Sequence, residues 1–437
     1  MRDNPLQTFK APTRSAPCLE KRGTHPARGI RTLELASEAG GTLPATLWAL
    51  AIGGLLVAPF LAYVSTSLLA SRDAHGAARK EYAANAGVEY SIWHLLYDAA
   101  YRLQVDLAPG TPYTPGPAIT VNGLSPTMSA QAIPIGIWTA MTDHPTNVAA
   151  GGALTYDYGD YIYALRGGSN QFRRYSISGN SWISRANTPA NIGTGGALAY
   201  VGGDYIFALR GGSNRQFYRY SISGNNWTAM TLTPAAIGAG GALAFVGGDY
   251  IFALRGANQR QFYRYSISGN SWSSMTLTPA AVGAGGALEF TGGDYIYALR
   301  GSTTTNFYRY SISGNSWSTL ASTPATVAAD GSLTFQPGGD IFAFRGNNST
   351  TVWHYRIAED IWIPAAVAPA TVGAGGAMTY TGSNFIYAFR GNSQPNFWRF
   401  EITPPRFDIT SQAAGMSIAT RIEINGTIVT VMTWDVQ

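Results

Sequence analysis

A chain of 437 residues has room for about three domains at the usual ~150 residues each. Charged residues make up only 12% against 46% apolar, with 51 Gly, 23 Pro, 25 Tyr and 18 Phe, which excludes a disordered polymer and an all-helical enzyme and favours short strands joined by tight turns. Apart from the N-terminal tail, the basic residues behind the net charge of +5 are scattered rather than gathered into one run, so no nucleic-acid partner is expected, and Cys18 as the single cysteine excludes an intrachain disulfide or a thiolate metal cluster.

Residues 1–43 read as a basic cytoplasmic tail or leader, carrying Arg2, Lys10, Arg14, Lys21, Arg22, Arg28 and Arg31. Residues 44–70 contain no charge over 27 positions, about 40 Å as a helix and enough to cross a bilayer. Only Arg72, Arg79 and Lys80 follow closely, so the positive-inside rule puts the N-terminus in the cytoplasm and everything after Ala70 outside the cell, as a single-pass membrane protein. A cleaved secretory signal is the alternative, disfavoured by the length of the apolar run and by the tail before it. Val88, Ile92, Leu95, Leu96, Ala99 and Leu103 form one helical stripe, so the helix is expected to continue until the prolines at Pro109, Pro112, Pro115 and Pro117.

The segment from about residue 40 to residue 104 resembles the N-terminal helix of PilX-type minor pilins and related pilin-like proteins. EYAANAGVEYSIW, Glu81 to Trp93, is similar to the alanine-rich stretch of that family, and Pro59 stands where many pilins have a mid-helix proline. The resemblance implies a pilin-like stem and other pilin subunits as partners. Where prepilins carry a glutamate at the fifth position after the cleavage glycine, Gly40-Gly41 is followed by Thr42-Leu43-Pro44-Ala45-Thr46. A plain signal-anchor helix is the alternative.

Tryptophans recur at Trp138, Trp182, Trp227, Trp272, Trp317 and Trp362, spaced by 44 residues once and then by 45. A fixed period of that size means a repeat architecture. One unit, residues 226–269, contains the runs WTAM, GALAFV, DYIFALR and QFYRYSIS, bounded by Gly and Asn turns, and four short strands per repeat make a propeller blade. The pattern resembles the kelch repeat: a hydrophobic second strand ending in glycine, an aromatic pair, then a tryptophan and a proline. The second glycine of the kelch pair is present at Gly168 and Gly212 and replaced by Ala257, Ser302, Asn347 and Asn392. Sialidase Asp-box propellers are the nearest rival, but SISGNSW lacks their aspartate.

The expected fold is therefore mainly β: a six-bladed kelch-like propeller over residues 137–403, inserted in a pilin-like stem made of the long helix and a small sheet. Residues 137–141 are expected to supply the fourth strand of the blade formed by residues 372–402, burying two open edges. The stem would comprise residues 71–136 and a C-terminal hairpin over 404–437, with turns at Asn122-Gly123 and Asn425-Gly426.

Each second strand ends in arginine, at Arg166, Arg210, Arg255, Arg300, Arg345 and Arg390, and starts at Asp160, Asp204, Asp249, Asp294 and Asp340, with Asn384 in the sixth. A second set, Arg174, Arg219, Arg264, Arg309 and Arg399, lies on the third strand, with His354 replacing arginine in the fifth repeat. Guanidiniums between blades brace backbone and carboxylates; alternatively the first ring gathers anionic or hydroxyl-rich ligands at the channel mouth. Only His144 and His354 fall in the repeats, the acids recur as repeat structure, and the cysteine of kelch-like sugar oxidases is missing, so no catalytic site, cofactor or metal is expected. The units differ chiefly in the loop after the arginine: GSNQ, GSNRQ, ANQRQ, STTTN, NNSTTV and NSQPN. These loops, on the face opposite the chain's connections to the stem, are the expected contact surface for a glycan or protein ligand. The functional expectation is a surface adhesin, the alternatives being a structural component of a pilus or secretion fibre and a carbohydrate-active enzyme.

Overall fold

The computed structural model describes residues 42–437, with side chains from Trp48 onward. The basic tail, Cys18 and Gly40-Gly41 lie outside the described residues. The chain divides into two compact units: the described part of Met1–Asp98 with Thr114–Ala130 and Asp408–Gln437, and Ala99–Tyr113 with Gln131–Phe407.

In the first unit, helix α1 runs from Thr42 to Tyr97, 56 residues and about 84 Å at the α-helical rise. It is long and apolar enough to cross a membrane, and Trp48, Leu55, Phe60 and Leu68 are exposed along it. Further on, Ala83, Ala84, Val88, Ser91 and Leu95 are buried, the spacing of one helical face. Gly87 lies on that face because a Cβ there would meet the Ser411 hydroxyl and Pro126.

Expected to run on through Leu103, the helix instead breaks at Asp98 and resumes as α2, Ala99–Leu107. The break re-phases the stripe: Ala99 is exposed, and α2 buries Tyr101, Val105 and Asp106. Strands Thr127–Ile133, Arg406–Ala413, Met416–Asn425 and Ile428–Val436 form one four-stranded sheet in that order. Ile409, Ser411, Ala413, Ile418, Thr420, Ile422 and Ile424 alternate into its buried face. The C-terminal hairpin turns one residue later than the Asn-Gly pair suggests: Asn425 pairs with Ile428, so Gly426 and Thr427 make the turn and Gly426 takes the positive φ, +62°.

The second unit contains six further four-stranded antiparallel sheets. In one of them Ala242–Phe245, Tyr250–Leu254, Phe262–Ser266 and Ser271–Ser274 follow each other from the innermost strand outward. Innermost strands neighbour one another in a closed cycle, the last, Ala377–Tyr380, lying beside the first, Ala153–Tyr156. The arrangement is propeller-like and mainly β. Its closing sheet pairs Ile137–Ala140 with Phe397–Glu401, Ile137 opposite Glu401, as the complementary ends of the repeats require.

Two layers of contact hold neighbouring sheets together. Apolar side chains from the two facing sheets interlock: Phe217 meets Tyr265 at 4.9 Å and Trp272 at 5.0 Å, edge to face, and the same triad recurs as Phe262, Tyr310 and Trp317. Each repeat tryptophan also donates its indole N–H to a carbonyl of the preceding unit, as Trp227 does to Ala186 at 2.8 Å. The cycle closes where Trp138 donates to Ala366 at 3.0 Å. Helix α2 is tied to the fifth repeat through the buried Asp106, which accepts from Arg102 at 3.0 Å and Arg356 at 2.8 Å.

Candidate functional site

The sixfold arginine set sits where the second strand turns into the divergent loop. Every Nε donates to a backbone carbonyl nineteen residues upstream: Arg166 to Asn147, Arg210 to Asn191, Arg255 to Ala236, Arg300 to Ala281, Arg345 to Thr326 and Arg390 to Thr371, at 2.7 to 3.2 Å. In four repeats a second nitrogen bonds a side-chain amide within the loop, as Arg210 does to Gln216 at 3.1 Å and Arg390 to Asn396 at 3.0 Å. The six guanidiniums thus brace the loops, are half-buried or exposed, and do not line the central cavities. Successive left-handed residues shape the loops, among them Gly256, Ala257 and Asn258, which explains their Gly, Asn and Ser content.

The second arginine set caps aromatic rings at the start of the second strand: Arg174 lies over Tyr161 at 3.8 Å, Arg219 over Tyr205 at 4.4 Å and Arg399 over Phe385 at 4.5 Å. His354 instead stacks on Phe342 and approaches Asp340 at 3.4 Å. The recurring aspartates are turn-formers. Asp204 accepts from the Ser221 hydroxyl and the Ser223 N–H, bonds that hold its carboxyl below the usual range. Burial pushes His144 down to about 4, and its ring packs against Trp182 and Phe389. Among the described residues no cluster of three or more His, Cys, Asp or Glu could hold a metal.

Down the axis run two openings. One, of about 170 Å³, is walled by the paired glycines that precede the innermost strand in five of the six repeats, such as Gly195-Gly196 and Gly240-Gly241. The other, of about 230 Å³, is rimmed by the aromatic residue at or next to the end of each innermost strand: Tyr156, Tyr200, Phe245, Phe290, Phe335 and Tyr380. Two acids interrupt the repeat pattern here, and neither belongs to the motif that the repeats share. Asp330 replaces the first glycine of its pair, keeps a left-handed φ of +67°, and accepts from the Gly375 N–H at 3.0 Å; burial raises its pKa. Glu289 stands where two repeats have Ala199 and Ala244, and its Oε1 accepts from the Phe335 N–H at 2.9 Å. Burial pushes its carboxyl up to about 8. Tyr158 is a third exception, replacing the Gly202, Gly247, Gly292 and Gly382 of other repeats. Aligning the six units position by position exposes all three, whereas a reading of their shared pattern averages them away.

The class these features define is a mainly β, propeller-like protein carrying one long apolar helix. No protein-family profile and no curated protein matches the chain. Among solved structures it is similar to that of YjhT, at 14% identity over 68% of this chain and 100% of that one, with a TM-score of 0.48. It is also similar to a structural genomics protein of unknown function from Bacteroides thetaiotaomicron VPI-5482, at 12% identity over 68% and 84% of the two chains, with a TM-score of 0.46.

Proposed function

We propose that this protein is a membrane-anchored surface adhesin: a six-bladed kelch-like propeller displayed outside the cell on a pilin-like stem, binding a glycan or protein ligand rather than catalysing a reaction. The observation that carries this reading is the confinement of variation. Strands such as YIFALR and FYRYS recur almost unchanged, while the loops after Arg166, Arg210, Arg255, Arg300, Arg345 and Arg390 differ from each other. Scaffold positions repeat because packing demands it; a solvated loop freed from that demand is where contacts can be specified. Within the second unit, the chain enters at Ile137 and leaves after Glu401, directly opposite in the closing pair, at the strand ends away from these loops. The loops' amides and hydroxyls, with the outer nitrogens of the arginines, suit hydroxyl-rich or carboxylate-bearing ligands.

The test is an array of glycans and surface proteins probed with the full chain in a non-ionic detergent, beside variants in which the loops 302–305 and 347–350 are replaced by the 257–260 sequence. Binding that the loop variants lose without a change in melting temperature supports the adhesin. Binding unaffected by every loop exchange, or none at all, refutes it. The fibre-component reading rests on helix α1, whose apolar side chains from Trp48 to Leu69 are open to a neighbouring subunit as well as to lipid. Recovery of the protein in sheared surface fibres distinguishes it.

A further inference from the structure

Tyr158 is 81% exposed, yet its backbone is left-handed, with φ +61°, at a turn where four other repeats place glycine with φ between +85° and +88°. A bulky side chain in that region costs free energy, and most of this one is left open to solvent. The turn is held by Asp157, whose Oδ1 accepts from the N–H groups of Gly159 at 2.9 Å and Tyr161 at 3.1 Å. So held, the Tyr158 ring overhangs the aromatic mouth, 5.6 Å from Tyr156 and 5.9 Å from Tyr200.

We propose that this mouth is a binding site for a small organic cation with a methylated ammonium head, taken up between Tyr158, Tyr156 and Tyr200 above the Glu289 carboxyl. Three observations converge on that chemistry. The mouth is rimmed by π-faces, which attract cations. Its single ionisable side chain other than tyrosine is Glu289, close enough to act electrostatically on the Tyr158 hydroxyl, and no Lys, Arg or His lines the cavity, so an anion has no partner there. The hydroxyls of Tyr156 and Tyr200 already donate to the carbonyls of Gly159 and Gly203, which leaves two fewer donors for a sugar; a methylated ammonium needs none. An opening of about 230 Å³ accommodates such a head with part of its chain. The site lies at the opposite ends of the strands from the arginine-bearing loops and does not depend on the adhesin reading.

The experiment is calorimetric titration of the full chain, in a non-ionic detergent, with choline and with its neutral isostere 3,3-dimethylbutanol. Choline is expected to bind at least about tenfold more tightly than the isostere. Tyr158→Gly, which installs the residue four other repeats carry, should weaken choline about tenfold, and at pH 9, where Glu289 is charged, Glu289→Gln should do likewise. Around the ligand the titratable groups are Glu289, Tyr156, Tyr158, Tyr200, Tyr380 and, on the turn itself, Asp157; Glu289, pushed up to about 8, gains its charge between pH 6 and 9, so choline affinity should rise across that range in the parent and stay flat in Glu289→Gln. Equal affinity for choline and its isostere, unchanged affinity in Tyr158→Gly, saturable binding of a neutral hexose in preference to choline, or no choline binding at millimolar concentration would each overturn the site.

Discussion

A methyl group added at Gly240 would sit 2.0 Å from the carbonyl oxygen of Gly283, and the backbone there has φ +84°. Both the clash and the conformation oppose any side chain, so Gly240→Ala should destabilise the second unit by about 3 kcal/mol or more, read as a drop in its thermal midpoint. Asp330 tolerates the same backbone because its carboxylate recovers a bond from the Gly375 N–H. Glu289 gives a prediction with a sign. Its folded pKa of about 8 lies above the ordinary 4.5, so the folded state holds the proton more tightly; the associated stability is full below pH 4.5 and is lost as pH rises through 8. Glu289→Ala, with the residue found at Ala199 and Ala244, should therefore gain melting temperature relative to the parent as pH rises from 5 to 9. A pH-independent difference between the two would contradict the burial argument. At this scale the sequence was only half legible: the arginine, aspartate and tryptophan sets are plain in it, but the carbonyls to which the arginines and tryptophans donate and the serines from which the aspartates accept, sixteen or more residues away, are not, and Glu289, Asp330 and Tyr158 depart from what the repeats share.

Elements were the most legible level, because the short apolar, β-branched and aromatic run of YIFALR and the Gly-Asn punctuation act locally. Where tertiary geometry intervenes, the reading slipped: the hairpin turn falls on Gly426-Thr427, since pairing of Asn425 with Ile428 sets the register, and helix α1 ends at Tyr97 although no proline or glycine marks the place. The closing pair is the element on which the ring depends. Deleting Ile137–Met141 should leave Phe397–Glu401 as an open sheet edge and promote association, seen as higher oligomers in size-exclusion chromatography and a lower thermal midpoint. A monomer of parental stability would show that the closing strand is dispensable. One link weaker, Trp227→Phe keeps most of the ring packing but removes the bond to Ala186, leaving a carbonyl without its donor; the expected loss is about 1 kcal/mol, measurable by denaturant titration.

For the whole molecule, the apolar helix makes one expectation concrete: the full chain should sediment with membranes and resist a carbonate wash, and deletion of residues 44–70 should move it to the supernatant. The closing pair also decides how the second unit answers a mechanical load. Residues 136 and 402, where the chain passes in and out of the repeats, adjoin the same end of one antiparallel pair, Ile137 facing Glu401. Tension that draws these two connections apart opens the pair like a zipper, one hydrogen bond after another, each worth only about 1 kcal/mol net. Tension borne by both connections in the same direction leaves the bonds between them unloaded. The ring would thus yield easily when its two tethers are prised apart and hold firmly when they are pulled as one, a distinction that single-molecule stretching from residues 136 and 402, compared with a pull between the paired tethers and a distal loop, would resolve.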